Sequence, residues 1–211
     1  MVGPGATGAV LEGQTLILTD AGMLDPRVPD CGWRSLVVHE STHQWFGDSV
    51  SLARWDQKWL SEGHATFYQR LWEAANGCDP LTFEERMHAI YQDGQAVRDT
   101  GGPPDRPRAP RFAYESNIYD QGALALYALQ QAVGTATFRD IETTWLDRYA
   151  DASASTDDFI ALASEVAGRD LSSFLEEWLR SDTLPPMPGH PDWVSVPRSS
   201  PEPSGSAAPA V

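Results

Sequence analysis

Lysine is almost missing from this chain: Lys58 is the only lysine among its 15 basic residues. Basic residues are scarce altogether, because 30 acidic side chains leave a net charge of -15. A surface this negative repels phosphate backbones and anionic lipids, which argues against nucleic acid and membrane surfaces as partners. It favours cationic substrates only weakly, since many proteins are acidic for solubility alone.

Long apolar runs are also missing. No stretch of about 18 apolar residues occurs, so we expect no membrane-spanning segment. Residues 1–6 contain neither a basic segment nor an apolar core, and we expect no signal peptide in this chain. The compartment stays open between the cytoplasm and, if a longer precursor exists, secretion.

Cysteine is rare, and Cys31 and Cys78 are the only two. They lie too far apart for the C-x-x-C pattern of zinc and redox sites. The sequence leaves two alternatives, a pair of free thiols or a single disulfide in an oxidising compartment.

The patterns that are present predict an α+β fold that is mainly helical, with a small N-terminal β element. A strand is predicted at 15–19, and helices are predicted near 33–47, 57–75, 82–97, 116–134, 138–146, 155–168 and 171–179. Residues 1–184 are expected to form one catalytic domain. Residues 185–211 are rich in Pro, Ser and Ala, and the last dozen are expected to be disordered.

The strongest chemical signal is the H-E-x-x-H segment from His39 to His43. Two histidines four positions apart share one helical face, so both imidazoles can bind one metal ion while Glu40 holds a zinc-bound water. Tetrahedral zinc then needs a third protein ligand and keeps its fourth position for water. Glu62 lies nineteen positions after His43, early in the next helix, and can supply that ligand. A glutamate in that position is otherwise a solvated residue that compensates the helix dipole.

Two segments carry a family resemblance. Residues 39–48 read H-E-S-T-H-Q-W-F-G-D, and residues 59–66 read W-L-S-E-G-H-A-T. They resemble the gluzincin zinc aminopeptidases of the aminopeptidase N type, whose pattern is H-E-x-x-H-x-W-F-G followed by the glutamate of W-L-N-E-G-F-A. The resemblance runs from about residue 8 to residue 184. It implies a thermolysin-like zincin catalytic domain with one Zn²⁺ per chain.

The resemblance implies two further site residues. Tyr119, in Y-D-Q-G, matches the family tyrosine of Y-x-K-G, which stabilises the tetrahedral intermediate, with Gln121 in place of the lysine. Tyr114 competes for this role but lacks the following glycine. Glu12 matches the glutamate of the family's G-x-M-E-N strand, which binds the α-amine of the substrate, although Leu11 and Gly13 replace Met and Asn.

Other polar residues have weaker claims. Thr66 could orient a zinc histidine from behind, but packing on the helix surface is the simpler role. His64 is interpreted as a pocket or packing residue, because a fourth protein ligand would close the water position. His88 and His190 lack ligand spacing. Asp48 either braces the metal helix or caps the turn after it.

The predicted function is a zinc aminopeptidase that acts on peptides with a free N-terminus. Glu40 takes a proton from the zinc-activated water, Tyr119 stabilises the oxyanion and Glu12 holds the substrate ammonium. The β-rich domain that precedes the catalytic domain in the family is absent here, so we expect a truncated or minimal form whose turnover is open. The alternatives are a thermolysin-like endopeptidase, an inactive peptide-binding fragment and a structural zinc domain. An open coordination site argues against the last. Oligomeric state is not predicted.

Overall fold

The computed structural model describes residues 11–19, 30–108 and 116–196. Helices dominate these described ranges, which confirms the predicted mainly helical α+β class. The helices are α1 (Asp30–His43), α2 (Trp59–Ala75), α3 (Phe83–Gly101), α4 (Tyr119–Val133), α5 (Thr135–Arg148), α6 (Thr156–Ala167) and α7 (Ser172–Arg180). The strands are β1 (Leu11–Gly13), β2 (Leu16–Leu18), β3 (Val50–Leu52) and β4 (Ala152–Ala154), and a 3₁₀ turn spans Trp55–Gln57. No helix in the described ranges is long and apolar enough to cross a membrane.

Local sequence signals explain several helix ends. Thr82 caps α3 in a reciprocal capping box with Glu85, which satisfies two backbone N–H groups at that end. Ser155 caps α6 in the same way with Asp158, and Gly168 ends α6 in the left-handed conformation that glycine adopts readily. The predicted cap at 155–156 is therefore confirmed.

The end of α1 differs from the prediction. The helix stops at His43 rather than at Gly47, because the chain turns after the second histidine. The N–H of Asp48 donates to the His43 carbonyl at 2.9 Å, and Gly47 has a φ of 136° that other residues rarely adopt. This turn leads directly into β3 and brings the chain back toward α2.

Two small sheets complete the fold. β1 and β2 form an antiparallel hairpin in which Glu12 lies opposite Ile17, and β2 confirms the strand predicted at 15–19. β3 pairs in parallel with β4, with Val50 opposite Ala152. This second pair is not predictable from the sequence, since three-residue strands so far apart along the chain leave almost no periodic signal.

Helices α2 and α4 cross at the centre of the core, where two glycines bring their backbones together. A Cβ atom at Gly63 would lie 2.9 Å from the carbonyl carbon of Gly122, and one at Gly122 would lie 2.9 Å from the Cα of Gly63. Side chains at either position would force the helices apart. Gly63 directly follows Glu62, and Gly122 lies one turn after Tyr119, so the crossing sets the distance between the two segments that carry these site residues.

The chain after α7 continues across the helical core. Met187 and Trp193 are buried, and Tyr91 of α3 donates its hydroxyl hydrogen bond to the Pro185 carbonyl at 3.1 Å. Residues 185–196 therefore pack against the predicted domain. The segment 197–211, which includes the residues expected to be disordered, lies outside the described residues, so the proposed boundary stays a prediction.

A disulfide joins Cys31 to Cys78 and resolves the alternative that the sequence left open. Cys31 lies at the start of α1 and Cys78 just after the end of α2, so the bond closes the open end of this helical hairpin. The two cysteines are 47 positions apart, and His39, Glu40, His43 and Glu62 all lie between them. A cross-link of this length limits the freedom of the unfolded chain and favours the folded hairpin.

A buried polar cluster lies between α2 and α5. Tyr68 donates its hydroxyl hydrogen bond to Glu142 at 2.6 Å, and the Nδ1–H of His64 donates to the Leu60 carbonyl at 2.7 Å. Burial lowers the pKa of His64 to about 3, so the ring is neutral. The ring packs flat on that of Phe46, with the two ring centroids 4.0 Å apart. Burial also raises the pKa of Glu142 to about 7, against the smaller opposing effect of the Tyr68 hydrogen bond.

The glycine crossing predicts opposite effects of one substitution at two places. Gly122→Ala places a methyl group 2.9 Å from Gly63 and should destabilise the fold by about 1–3 kcal/mol, despite the better helix propensity of alanine. Gly32→Ala is the matched control, because no atom lies within 4 Å of a Cβ in that exposed position on α1. It should stabilise the fold by up to about 1 kcal/mol. Urea unfolding of both variants measures the difference, and equal effects would contradict the close packing of α2 on α4.

The raised pKa of Glu142 predicts that the stability of the native state depends on pH. The unfolded carboxyl has an ordinary pKa of 4.5, so between this value and about 7 the unfolded chain loses its proton before the native state does. Native stability therefore falls as pH rises through this window, by up to about 3 kcal/mol. Glu142→Gln should be more stable than the parent at pH 8 and nearly equal to it below pH 5. Urea unfolding at both pH values, with the exposed Glu177→Gln as control, tests this; a difference that does not change with pH would contradict it.

Candidate metal centre

Three ligand side chains converge from α1 and α2. His39 and His43 lie one turn apart on α1, with ring centroids 4.9 Å apart and planes at 79°. Oε2 of Glu62, in the first turn of α2, lies 3.3 Å from Nε2 of His39 and 3.2 Å from Nε2 of His43. All three residues are buried, and their ligand atoms lie within 4.8 Å of one another, which no other His, Cys, Asp or Glu group in the described ranges achieves.

Hydrogen bonds on the far side of each imidazole fix its tautomer. Nδ1 of His39 lies 3.0 Å from Oε1 of Gln69, and Nδ1 of His43 lies 3.1 Å from the carbonyl oxygen of Phe46. Both partners are oxygens that can only accept, so each Nδ1 carries the hydrogen. Each Nε2 therefore faces Glu62, where it donates to the carboxylate when the ring is protonated and offers its lone pair to a metal when the ring is neutral.

This arrangement fits zinc. Catalytic zinc sites commonly use two imidazole nitrogens and one carboxylate oxygen, with a fourth position open. Here Nε2 of each ring faces a carboxylate oxygen, and three such atoms so close together repel one another unless a proton or a metal cation lies between them. The side chains of His39, His43 and Glu62 are therefore a possible metal-binding triad.

The two oxygens of the Glu62 carboxylate face different groups. Oε2 faces the imidazoles, and Oε1 lies 3.5 Å from Nζ of Lys58, the only lysine in the sequence. Burial alone would raise the pKa of Glu62. Hydrogen bonds from His39 and His43 and the Lys58 charge outweigh burial and hold this pKa far below its usual range. Glu62 therefore stays ionised, as a metal ligand must.

Glu40 lies between the two histidines in sequence and is buried. Its Oε2 has no hydrogen-bond partner among the described residues. Burial raises the pKa of Glu40, and the neighbouring His39 and His43 offset only part of that effect. A buried carboxylate with a free oxygen and a raised pKa is suited to accept a proton from a bound molecule.

Tyr119 reaches the same centre from the first residue of α4. Its ring lies parallel to that of His39, with centroids 5.9 Å apart and planes at 12°. The structure thus brings Tyr119 to the metal ligands. Tyr114, the competing tyrosine, lies outside the described residues.

Gln44 holds the β1–β2 hairpin at the end of α1. Its Oε1 accepts from the N–H of Thr15 at 2.6 Å, and its Nε2 donates to the carbonyl of Gly13 at 3.0 Å. The same Nε2 donates to Oδ2 of Asp48 at 2.9 Å, so Asp48 fixes the direction of the Gln44 amide. We call the hydrogen bonds from Gln44 to the hairpin the Gln44 clamp. Sequence reasoning did not identify Gln44, because the contact depends on how the hairpin folds back.

Glu12 lies on this hairpin and is exposed to solvent. Burial is the largest influence on the pKa values of Glu40, His43 and Asp48. The negative charge of Glu12 is a smaller influence that also raises the pKa of each of these three groups. Glu12 therefore lies within electrostatic range of the metal centre.

The weaker candidates lie apart from the ligand cluster or have other partners. The hydroxyl of Thr66 is buried without a hydrogen-bond partner among the described residues, and Gln69 contacts His39 instead. His88 and His190 stack against Trp193, with ring centroids 4.6 and 4.2 Å apart. Sequence reasoning missed Gln69, although its position seven residues after Glu62 places both on one face of α2.

An apolar groove of about 590 Å³ lies on the other face of α1. Val38 and Thr42 of α1, Tyr68 and Leu71 of α2 and Leu146 of α5 line it, among others, and none of the metal ligands does. The chemistry of the centre is therefore separate from this groove.

The chain is similar to proteins of known family. The sequence profile described as the Peptidase family M1 domain matches residues 6–178. The chain is 31% identical over 168 residues to a probable aminopeptidase 1 of Sulfurisphaera tokodaii, which covers 74% of this chain and 20% of that protein. It is 28% identical over 169 residues to a leucyl aminopeptidase of Saccharolobus solfataricus, with the same coverage of 74% and 20%. The chain thus spans about a fifth of the length of these relatives.

Solved structures give the same result. The M1 zinc metallopeptidase of Deinococcus radiodurans superposes with a TM-score of 0.70 at 30% identity, over 89% of this chain and 40% of that chain. A mutant M1 zinc metallopeptidase of the same organism, bound to a Tyr-Ser-Ala substrate, superposes with a TM-score of 0.71 at 28% identity, over 90% and 40%. The resemblance seen in the sequence is thereby confirmed: this chain belongs to peptidase family M1 and forms a mainly helical, thermolysin-like catalytic domain.

Proposed function

We propose that this chain is the catalytic part of a zinc-dependent aminopeptidase. The observation that carries the proposal is the buried triad of His39, His43 and Glu62, with Glu40 and Tyr119 beside it. Membership of family M1 supports a peptidase, and the curated relatives named above are aminopeptidases. Because the chain spans 20% of these relatives, the activity of the whole protein belongs to the proposal.

The side chains divide the reaction among them. Zinc held by His39, His43 and Glu62 would lower the pKa of a bound water and polarise the scissile carbonyl. Glu40 accepts the proton of the attacking water and delivers it to the leaving amine, because its own proton affinity is raised by burial. Tyr119 donates a hydrogen bond to the oxyanion that develops on the substrate.

Glu12 supplies the preference for a free N-terminus. A carboxylate near the metal centre binds the substrate ammonium through a charge-assisted hydrogen bond, which is stronger than a neutral one. The Gln44 clamp holds the hairpin that carries Glu12 against the end of α1. Peptides with a free N-terminus are therefore the proposed substrates, and the side-chain preference is left open.

The disulfide supports an oxidising compartment for the working protein. Cytosolic thiols are kept reduced in most organisms, whereas disulfides persist in secreted and periplasmic proteins. The Cys31–Cys78 bond closes the hairpin that carries the proposed ligands. Of the two compartments considered from the sequence, we therefore propose the secretory route.

The roles of the metal and of the base can be separated by two variants. Metal analysis should find one zinc per parent chain and none in His43→Ala. Glu40→Gln should keep its zinc and lose at least about 100-fold in kcat, because an amide cannot take the proton. The exposed Glu177→Gln serves as the control. Full zinc in His43→Ala or the parent rate in Glu40→Gln would refute the assignment, and a parent that binds zinc and peptide without turnover would be the inactive alternative.

The aminopeptidase proposal is tested with free and N-acetylated aminoacyl-arylamides. The parent should cleave the free substrate and leave the blocked one almost untouched, since acetylation removes the ammonium charge. Glu12→Ala should lower kcat/KM for the free substrate and remove most of the discrimination, while Glu177→Ala should behave as the parent. Internal cleavage of blocked peptides at the rate of free ones, unchanged in Glu12→Ala, would establish the endopeptidase alternative instead.

A further inference from the structure

We propose that Gln69 on α2 is a positioning residue that fixes the tautomer and the orientation of His39. This inference rests on the proposed zinc function and concerns how the chain prepares one ligand for the metal. Gln69 lies two turns along α2 from Glu62, so one helix provides both a ligand and the support for another ligand.

The contact between Gln69 and His39 determines which ring nitrogen of His39 carries the hydrogen. Oε1 of Gln69 lies 3.0 Å from Nδ1 of His39, and the opposite nitrogen of the ring, Nε2, faces Glu62 at 3.3 Å. An amide oxygen can only accept, so it selects the Nδ1–H tautomer and leaves the Nε2 lone pair for the metal. Without this acceptor, the neutral ring can place its hydrogen on Nε2, where it blocks metal binding.

The direction of the Gln69 amide is fixed by two acceptors behind it. Nε2 of Gln69 donates to Oγ of Ser35 at 2.8 Å and to Oε1 of Glu73 at 3.1 Å. Ser35 also donates its hydroxyl to Glu73, and Arg70 donates to the other Glu73 oxygen at 3.0 Å. A flipped amide would place its oxygen against the Glu73 carboxylate and its NH₂ group against the Nδ1–H of His39. Both contacts are repulsive, so the cluster allows only one orientation.

The cluster also explains why position 69 carries an amide. A carboxylate there would accept from His39 equally well, but it would face the carboxylate of Glu73 at hydrogen-bond distance. Two close carboxylates cannot both remain ionised without a strong penalty. Glutamine satisfies His39 with its oxygen and Glu73 with its NH₂ group. A glutamate at 69 therefore requires a donor at 73.

The experiment compares three variants of the full chain. Gln69→Leu keeps the side-chain volume and removes the acceptor. The double variant Gln69→Glu with Glu73→Gln restores an acceptor for His39 and a donor behind it. Gln92→Leu removes an exposed amide from α3 and is the matched control. Zinc affinity is measured on the metal-free proteins by competition with a chelating dye, and ring ¹⁵N shifts of His39 report its tautomer.

Gln69→Leu should weaken zinc binding by about 10- to 100-fold, the usual loss when a hydrogen-bond partner behind a ligand is removed. In the metal-free protein, the neutral His39 ring of this variant should show a mixture of tautomers, whereas the neutral ring of the parent should show Nδ1–H alone. The double variant should bind zinc at least as tightly as the parent and show one tautomer. Gln92→Leu should match the parent in both measurements.

The outcomes separate this inference from the proposed function. A parent that binds no zinc refutes the zinc proposal and this inference with it. If the parent binds zinc and Gln69→Leu has the same affinity and a single Nδ1–H tautomer, only the role of Gln69 is wrong. If Gln69→Leu does not fold, the double variant decides: parent affinity with the Nδ1–H tautomer supports the role, and weakened binding in a folded protein refutes it.

Discussion

The site depends on one backbone contact, the crossing of α2 and α4 at Gly63 and Gly122. The residue before Gly63 is Glu62, and one turn before Gly122 lies Tyr119. Because neither glycine has a side chain, the two helices approach until their backbones touch. The glycines that follow the two motif residues thus have a common structural reason: each makes room for the other, and together they bring α4 to the metal centre.

A second layer of contacts prepares the ligands before any metal binds. One imidazole is held by a backbone carbonyl in the turn that follows its own helix, and the other by the amide of Gln69 on the neighbouring helix. The Gln69 cluster extends through Glu73 to Arg70, and Arg70 lies 3.6 Å from Asp120, the residue next to Tyr119. One partly buried polar network therefore braces a ligand and the start of α4 together, which favours a rigid, preorganised site.

The sequence predicted the parts of this site that local spacing determines. His39, Glu40 and His43 share one helix, and Glu62 opens the next, so their convergence follows from helical geometry and a short connection. Gln69 and Gln44 were missed because their roles depend on side-chain direction across two elements. The β3–β4 pair and the pairing of the cysteines depend on contacts between distant segments, for which a single sequence gives no periodic signal. The end of α1 was placed too late, because Gly47 serves a turn beyond the helix.

The disulfide links the two helices of the metal site independently of the backbone that connects them. A lysine-specific protease has one site in the whole sequence, after Lys58, at the start of α2. A cut there separates the two imidazoles from the carboxylate of Glu62 along the backbone. The Cys31–Cys78 bond spans the cut, so both fragments stay covalently joined, each contributing one helix of the same hairpin. The nicked molecule would thus be a two-chain protein whose metal centre lies between its chains.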